Sequence, residues 1–298
     1  MKPKTLLITG IHRSGSTWMG KIMGMSKELQ YIHEPFNIAK NSNMPLQYWY
    51  QYFTLDSDVS VRKKLKKYLN KFHQIDFIRL FKALKKTKYL GQVKDAFLYE
   101  LKCFHTIPLY KDPIALLSSE WFYEELDAHV IVSIRHPAAF VASVKVKNWI
   151  FDFNNLLKQD QLMQDYLLDY KLEMELANEK KDLLESSILI WNILYSVVFK
   201  LQEKYKDNPN WIFIRHEDLS RSPEEKYNQI FKKLNLKFTT PIKNAIINSS
   251  KPQESSYLSR DSKENIFTWK ERLEPEEIEI IKSGTKEVWK HFYIKEDW

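Results

Sequence analysis

The chain has 298 residues, 44% of them hydrophobic and 28% charged, with a formal net charge of +8, a globular balance with length for one large α/β domain or two small ones. Its single cysteine, Cys103, excludes an intrachain disulfide and a structural cysteine–zinc site, fits a reducing, cytoplasmic setting, and no run of about 18 apolar residues marks a membrane span. The positive charge admits nucleic acid, an anionic surface or an anionic small molecule and does not choose among them.

The first apolar run, Thr5–Thr9, predicts a strand. It is followed by Gly10-Ile11-His12-Arg13-Ser14-Gly15-Ser16-Thr17-Trp18 and a helical segment from Met19 to Met25. Strand, glycine-bounded loop and helix together turn backbone N–H groups and a helix N-terminus toward an anion. The spacing is that of the phosphate loop G-x-x-x-x-G-K-[ST], with Ser16 where the lysine should stand. That lysine normally reaches the β/γ-phosphates, so its loss argues against ordinary ATP or GTP hydrolysis. Arg13 still supplies charge from inside the loop.

Residues 45–88 read as a polar, helical insertion. Its densest basic run, Arg62-Lys63-Lys64-Leu65-Lys66-Lys67, keeps a helical rhythm through Leu65 and Leu69 and is either a solvated helix face or a docking patch for an acidic acceptor. Phe97–Leu101 is predicted as the second strand, with Lys102 at its end. Ile114–Leu126 is helical. His129–Ile134 is the third strand and runs into Arg135-His136-Pro137, with a helix over Phe140–Trp149 behind it. A second helical insertion covers residues 152–182, and Ile188–Tyr205 is a helix with one apolar side. Trp211–Ile214 is the fourth strand, ending in Arg215-His216-Glu217. Residues 254–262 have loop chemistry, and a last helix runs from about Pro275 to Trp289. Strands alternating with helices predict an α/β fold, a parallel sheet flanked by helices in a single domain over residues 1–298. Ligands then bind beyond the carboxyl ends of the strands, where the charged residues gather.

Arg135 ends a strand and Ser143 follows eight residues later, near the start of the next helix. A guanidinium, which binds phosphate bidentately, and a hydroxyl near a helix N-terminus make a second anion site. With these two sites the chain resembles the sulfotransferases that use 3′-phosphoadenosine 5′-phosphosulfate (PAPS). Their 5′-phosphosulfate loop [KR]-S-G-[ST]-T corresponds to Arg13-Ser14-Gly15-Ser16-Thr17, followed by Trp18, and their 3′-phosphate pair to Arg135 and Ser143. The resemblance implies a P-loop-like sulfotransferase fold, PAPS as sulfonate donor and no required metal. His33-Glu34-Pro35-Phe36 resembles the segment in which the Golgi-type and bacterial enzymes carry a glutamate general base. Lys111-Asp112-Pro113-Ile114-Ala115-Leu116 resembles the K-D-P-x-x-L segment of tyrosylprotein sulfotransferases, whose lysine stabilises the transferring sulfonate. Arg215-His216-Glu217-Asp218-Leu219 resembles R-Y-E-D-L, with His216 replacing the tyrosine. Toward the C-terminus the match is looser: Arg260 is a candidate for the 3′-phosphate and Lys270 for the cofactor.

The expected roles follow. Loop N–H groups and Arg13 bind the 5′-phosphate; Lys111, or Lys102 in its place, holds the sulfonate; and Glu34, or its neighbour His33, takes the acceptor proton. A glutamate in water titrates near ~4.3, so an efficient base calls for a neighbour or burial that raises it. His12 is expected in support of the loop. The branch resemblance points to a carbohydrate acceptor, with a tyrosyl, lipid-linked or small-molecule hydroxyl as alternatives. A nucleotide kinase-like phosphate binder is the reading from a different class. No basic–aromatic pattern of a nucleic-acid module is present.

Overall fold

A computed structural model of the protein describes residues 2–41, 44–249 and 266–298. Five parallel strands, β1 (Thr5–Gly10), β2 (Leu29–His33), β3 (Ile107–Lys111), β4 (Ala128–Ile134) and β5 (Trp211–Arg215), form one sheet in the order β2-β3-β1-β4-β5. All six residues of β1 are buried, as a strand covered on both faces must be. Side-chain alternation divides the core. Leu7, Val130 and Val132 face one apolar cluster, and Leu6, Ile8 and Ile131 face the other.

The first helix, α1 (Ser16–Met23), lies on the second face through Met19 and Ile22. Helices α2 (Val59–Asn70), α3 (Phe77–Leu84) and α4 (Leu90–Leu101) fill the segment between β2 and β3, and α5 (Ser119–Glu125) leads into β4. Helix α6 (Pro137–Lys145) starts with proline at its first turn, buries eight of its nine residues, and lies on the first face. Helices on opposite faces therefore follow β1 and β4, which are neighbours in the sheet. A crevice opens between their carboxyl ends, the place where open α/β sheets bind ligands.

The second insertion folds into the short α7 (Asn154–Leu157) and α8 (Asp160–Leu162) and the longer α9 (Lys171–Lys180). It is joined to the first by the Trp49 N–H, which donates to Asn155 Oδ1 at 3.0 Å, and the Tyr52 N–H, which donates to Gln159 Oε1 at 2.8 Å. Helix α10 (Leu183–Tyr205) is long and apolar enough to cross a membrane by composition, a property that unbroken apolar runs do not disclose. Here it is a core helix, burying Trp191, Tyr195 and Val198 beside α6.

Two strands differ from expectation. Phe97–Leu101 is the last turn of α4 rather than a strand. Leu90, Val93, Phe97 and Leu101 follow helical spacing, which a five-residue window hides. Lys102 consequently lies in a short turn, Lys102–Phe104, ahead of the amino end of β3, and is not at the carboxyl edge. The true β3 is hard to recognise because Pro108 interrupts it, and a proline argues against a central strand; the equally short β2 carries Gln30 and His33. The final helix breaks at Thr285 into α14 (Pro275–Gly284) and α15 (Lys286–Trp289), after α11 (His216–Arg221), α12 (Pro223–Lys233) and α13 (Thr240–Ser249).

Candidate active site

The loop between β1 and α1 is shaped by two glycines. Gly10 has φ +144° and pairs with Ser133; a side chain there would meet the Ser133 carbonyl oxygen at 2.4 Å. Gly15 has φ +88°, and a β-carbon there would lie 2.3 Å from His216 Nδ1. The Ser133 hydroxyl donates to the Ser14 carbonyl at 2.7 Å, fixing the loop to β4. No side chain caps α1, and although the Trp18 and Met19 N–H groups bond back to the Gly15 carbonyl, those of Ser16 and Thr17 are left for an anion. Arg13 holds a left-handed backbone, φ 65°, a strain typical of functional loops.

Two arginines and a serine close around this loop. Arg13 Nε donates to Ser143 Oγ at 2.8 Å, and an Arg135 terminal nitrogen donates to the Arg13 carbonyl at 2.6 Å. The Arg135 backbone is gripped from both sides: its N–H donates to Tyr195 Oη at 2.7 Å, and its carbonyl accepts from Trp191 Nε1 at 3.1 Å. The β4 and β1 sequence motifs thus meet in space.

At the next strand ends, β2 and β3 bring His33 and Lys111 into register. The Glu34 N–H continues the ladder to the Lys111 carbonyl at 2.9 Å, and Glu34 adopts φ 47°. Lys111 is fully buried. Its ammonium donates to Glu34 Oε1 at 2.6 Å and to Thr17 Oγ1 at 3.1 Å, so one of its three N–H donors remains. Glu34 Oε2 accepts from Asn37 Nδ2 and from Lys40 Nζ, both at 3.0 Å. Burial pushes the Glu34 carboxyl up, but Lys111, Asn37 and Lys40 outweigh it and bring it down to about 2. This is opposite to the upward shift expected of an efficient base. Burial holds the Lys111 ammonium below the usual lysine range, with Glu34 opposing it.

Asp112, also fully buried, accepts from the Phe36 N–H at 2.6 Å and the Ile114 N–H at 3.0 Å. It therefore fixes the turn that carries Glu34; burial raises its carboxyl to about 7. His33 is less well placed than Glu34. Its side chain is 43% exposed, its Nδ1 pairs with Tyr31 Oη at 3.0 Å, and its Nε2 lies 3.8 Å from Glu34 Oε2. Burial and Lys111 together lower its pKa.

A cavity of about 850 Å³ joins these groups. Arg13, Gly15, Ser16, Thr17, Trp18, Arg135, Ser143 and Glu34 line it; Lys111 touches it only through Glu34 and Thr17. Glu34 is its one carboxylate among the described residues, against Arg13, Lys21, Lys40, Arg135, Lys147 and Arg272. His12 forms part of the wall. The Tyr50 hydroxyl accepts from the His12 N–H at 2.8 Å and lies 2.6 Å from His12 Nδ1, tying the loop to the first insertion. Burial drives the His12 pKa down to about 3, so the ring is neutral.

The last motifs distribute differently. Arg215 forms ion pairs with Asp218 at 2.7 Å and Asp297 at 3.0 Å, away from the cavity. Buried Glu217 accepts from the His136 N–H at 3.0 Å and from Tyr293 Oη at 2.8 Å, so it steadies the turn after Arg135. His216, the residue that departs from the tyrosine pattern, lines the cavity against Gly15. Lys270 donates to the Trp298 carbonyl at 3.1 Å, outside the cavity lining, whereas Arg272 lines it. Arg260 lies outside the described residues. Asn37, Lys40 and Arg272 are site residues that the motifs do not include; the first two follow Glu34 by three and six residues, a local signal in the sequence.

A family model described as a sulfotransferase domain matches residues 3–293. No curated protein sequence matches the chain. Among solved structures it is similar to the sulfotransferase domain from the curacin biosynthetic pathway, at 12% identity over 95% of this chain and 98% of that one, with a TM-score of 0.49. It is also similar to sulfotransferase STF9 from Mycobacterium avium, at 12% identity over 99% and 78% of the respective chains, TM-score 0.47, and to the sulfotransferase domain of the Synechococcus PCC 7002 olefin synthase, at 13% identity over 95% and 94%, TM-score 0.47. Because the family model spans nearly the whole chain, from the strand before the phosphate loop to the C-terminal helices, the protein belongs to the sulfotransferase family, enzymes that move sulfonate from a donor to an acceptor.

Proposed function

We propose that this sulfotransferase moves the sulfonate of PAPS to an acceptor hydroxyl, with Glu34 as general base and a carbohydrate as the acceptor class. The observation that carries the reading is the Glu34–Lys111–Thr17 chain, which links the cavity's one described carboxylate to the phosphate loop. The donor's two phosphates also suit the residues present. Buried Arg135 Nε, Ser14 Oγ and His216 Nδ1 have no hydrogen-bond partner, and a buried polar atom left unpaired is costly unless a ligand pairs it. Arg135 and Ser143 would hold the 3′-phosphate, and the loop N–H groups, Ser16, Thr17 and Arg13 the 5′-phosphosulfate, with Trp18 beside them.

When bound, the donor supplies an electrophilic sulfonate on a phosphate leaving group. The protein's work is positioning and charge stabilisation. Arg13 and the α1 N-terminus offset charge that grows on the leaving phosphate. Lys111, behind Glu34 and Thr17, sets its positive charge beside the transferring group. Glu34, ionised at neutral pH, accepts the hydroxyl proton. With its proton affinity so low, that transfer becomes favourable only as the new O–S bond acidifies the attacking hydroxyl. Each step that draws Lys111 toward the donor weakens its hold on Glu34 and makes the carboxylate a stronger base.

Support for a sugar acceptor comes from Trp49 and Trp149, whose ring centroids are 5.2 Å apart and which line the same cavity as Asn37 and Lys40. Apolar ring faces among a few polar groups suit a hydroxylated ring. Glu34→Gln tests the base. Turnover is expected to fall on the order of 10³-fold, while calorimetric affinity for 3′-phosphoadenosine 5′-phosphate stays within a few-fold. Unchanged turnover would remove Glu34 from the role. Labelled PAPS offered oligosaccharides and tyrosyl peptides separately tests the acceptor class, and label on peptide alone would refute a carbohydrate.

A further inference from the structure

The α3–α4 hairpin exposes apolar surface that no part of the described chain covers. In α3, Phe77 is 75% exposed, Ile78 70% and Phe81 59%, and their spacing places them on one side of the helix. The turn adds Tyr89 at 72%, and α4 leaves Leu90 88% and Phe97, Leu98 and Leu101 more than 40% exposed. Isolated exposed apolar residues are ordinary, but eight large ones on one helical hairpin mark an interaction surface. Phe97, Leu98 and Leu101, from a run whose composition suggests a core strand, belong to this outward surface.

The charge around it is predominantly positive. Lys82, Lys85, Lys86, Lys88 and Lys94 are exposed on the hairpin, against Asp95 as its one exposed carboxylate. Directly before it in the chain, the end of α2 and the turn after it form a hollow of about 370 Å³ lined by Lys63, Lys66, Lys67, Asn70, Lys71 and Gln74, with no acidic side chain. Lys66 already pairs with Glu125; Lys63, Lys67 and Lys71 are exposed.

We propose that the hairpin and this lysine hollow together dock the enzyme on an anionic lipid bilayer. Large apolar side chains flanked by lysines are the composition of helices that lie in a membrane interface, where the rings and aliphatic chains enter the acyl boundary and the ammonium groups meet lipid phosphates. Charge decides against a second copy of this chain, because a twofold contact through this surface would set lysine against lysine. The placement is also compatible with catalysis. The hairpin returns into the amino end of β3, whereas the cavity lies at the carboxyl ends, so docking leaves the cavity uncovered.

The test is flotation of the full chain with phosphatidylcholine vesicles, with and without a minor fraction of phosphatidylglycerol. Binding to the anionic vesicles is expected to be at least about tenfold stronger and to weaken with added salt. Leu90→Asp, at the most exposed large apolar side chain of the hairpin, should lower it by about tenfold, and so should Lys63→Glu with Lys67→Glu, each with an unaltered melting temperature. Absence of binding, equal binding to both vesicle types, or full binding by Leu90→Asp would overturn the proposal. So would a dimer in sedimentation that Leu90→Asp dissolves.

Discussion

The phosphate-loop side and the Glu34 side of the cavity are built by different means. The loop is held by backbone: two glycines with positive φ, a carbonyl pinned by Ser133, and a strand end gripped by Tyr195 and Trp191. The Glu34 side is held by side-chain charge, with one carboxylate shared among Lys111, Asn37 and Lys40. Backbone geometry fixes where an anion sits. Charge geometry sets how strongly a proton is held, and it shifts when a new charge arrives.

The largest effect that separates the two sides should come from Glu34→Gln, which removes turnover on the order of 10³-fold without loosening the donor product. Arg135→Ala should do the reverse, weakening 3′-phosphoadenosine 5′-phosphate by about 100-fold or more through the lost guanidinium; calorimetry with the analogue lacking the 3′-phosphate should show little change. Equal losses for both ligands would place Arg135 elsewhere. Gly15→Ala combines a disfavoured backbone with a clash against His216, and should cost about 1–3 kcal/mol in denaturant unfolding. Adding His216→Ala should recover the clash and leave the backbone part; strict additivity would show that the two residues do not touch.

The smallest effect is in pH. Glu34 has its carboxyl depressed to about 2 in the folded protein, against 4.5 as its ordinary value. Its contribution to stability is therefore complete above about 4.5 and is lost as pH falls from there toward 2. Lys111→Met should raise the Glu34 pKa, so the stability difference between wild type and variant narrows from pH 6 to pH 3. A difference constant over that range would detach Glu34 from Lys111.

The loop and the Arg135–Ser143 pair stood out because their residue types suit an anion at fixed spacing, whereas Glu34 and Lys111 stood out only through the resemblance to sulfotransferase segments. Three strands were legible because their apolar runs are uninterrupted. Pro108 hid β3, and helical spacing within residues 90–101 resembles a strand over its last five residues, since so short a stretch cannot distinguish the two periods. The ionisation of Glu34 was not readable at all. It depends on Lys111, seventy-seven residues away in sequence, and on two donors from its own turn, and which of burial and charge wins is decided only in three dimensions. The R-H-E-D-L stretch, in turn, proved to be mainly architectural: Arg215 and Glu217 secure the C-terminal residues and the turn after β4.

In the role proposed for Arg135, the grip of α10 has a consequence for the entropy of recognition. A surface arginine gives up rotational freedom when it captures a phosphate, and that loss subtracts from affinity. Here the backbone of Arg135 is already immobilised by Tyr195 and Trp191, and its guanidinium by the Arg13 carbonyl. The ordering is completed when the core helix packs during folding, so little is left to lose on binding. Loosening that helix at Tyr195, which holds only the backbone of Arg135, should therefore appear as a less favourable binding entropy with the enthalpy nearly unchanged.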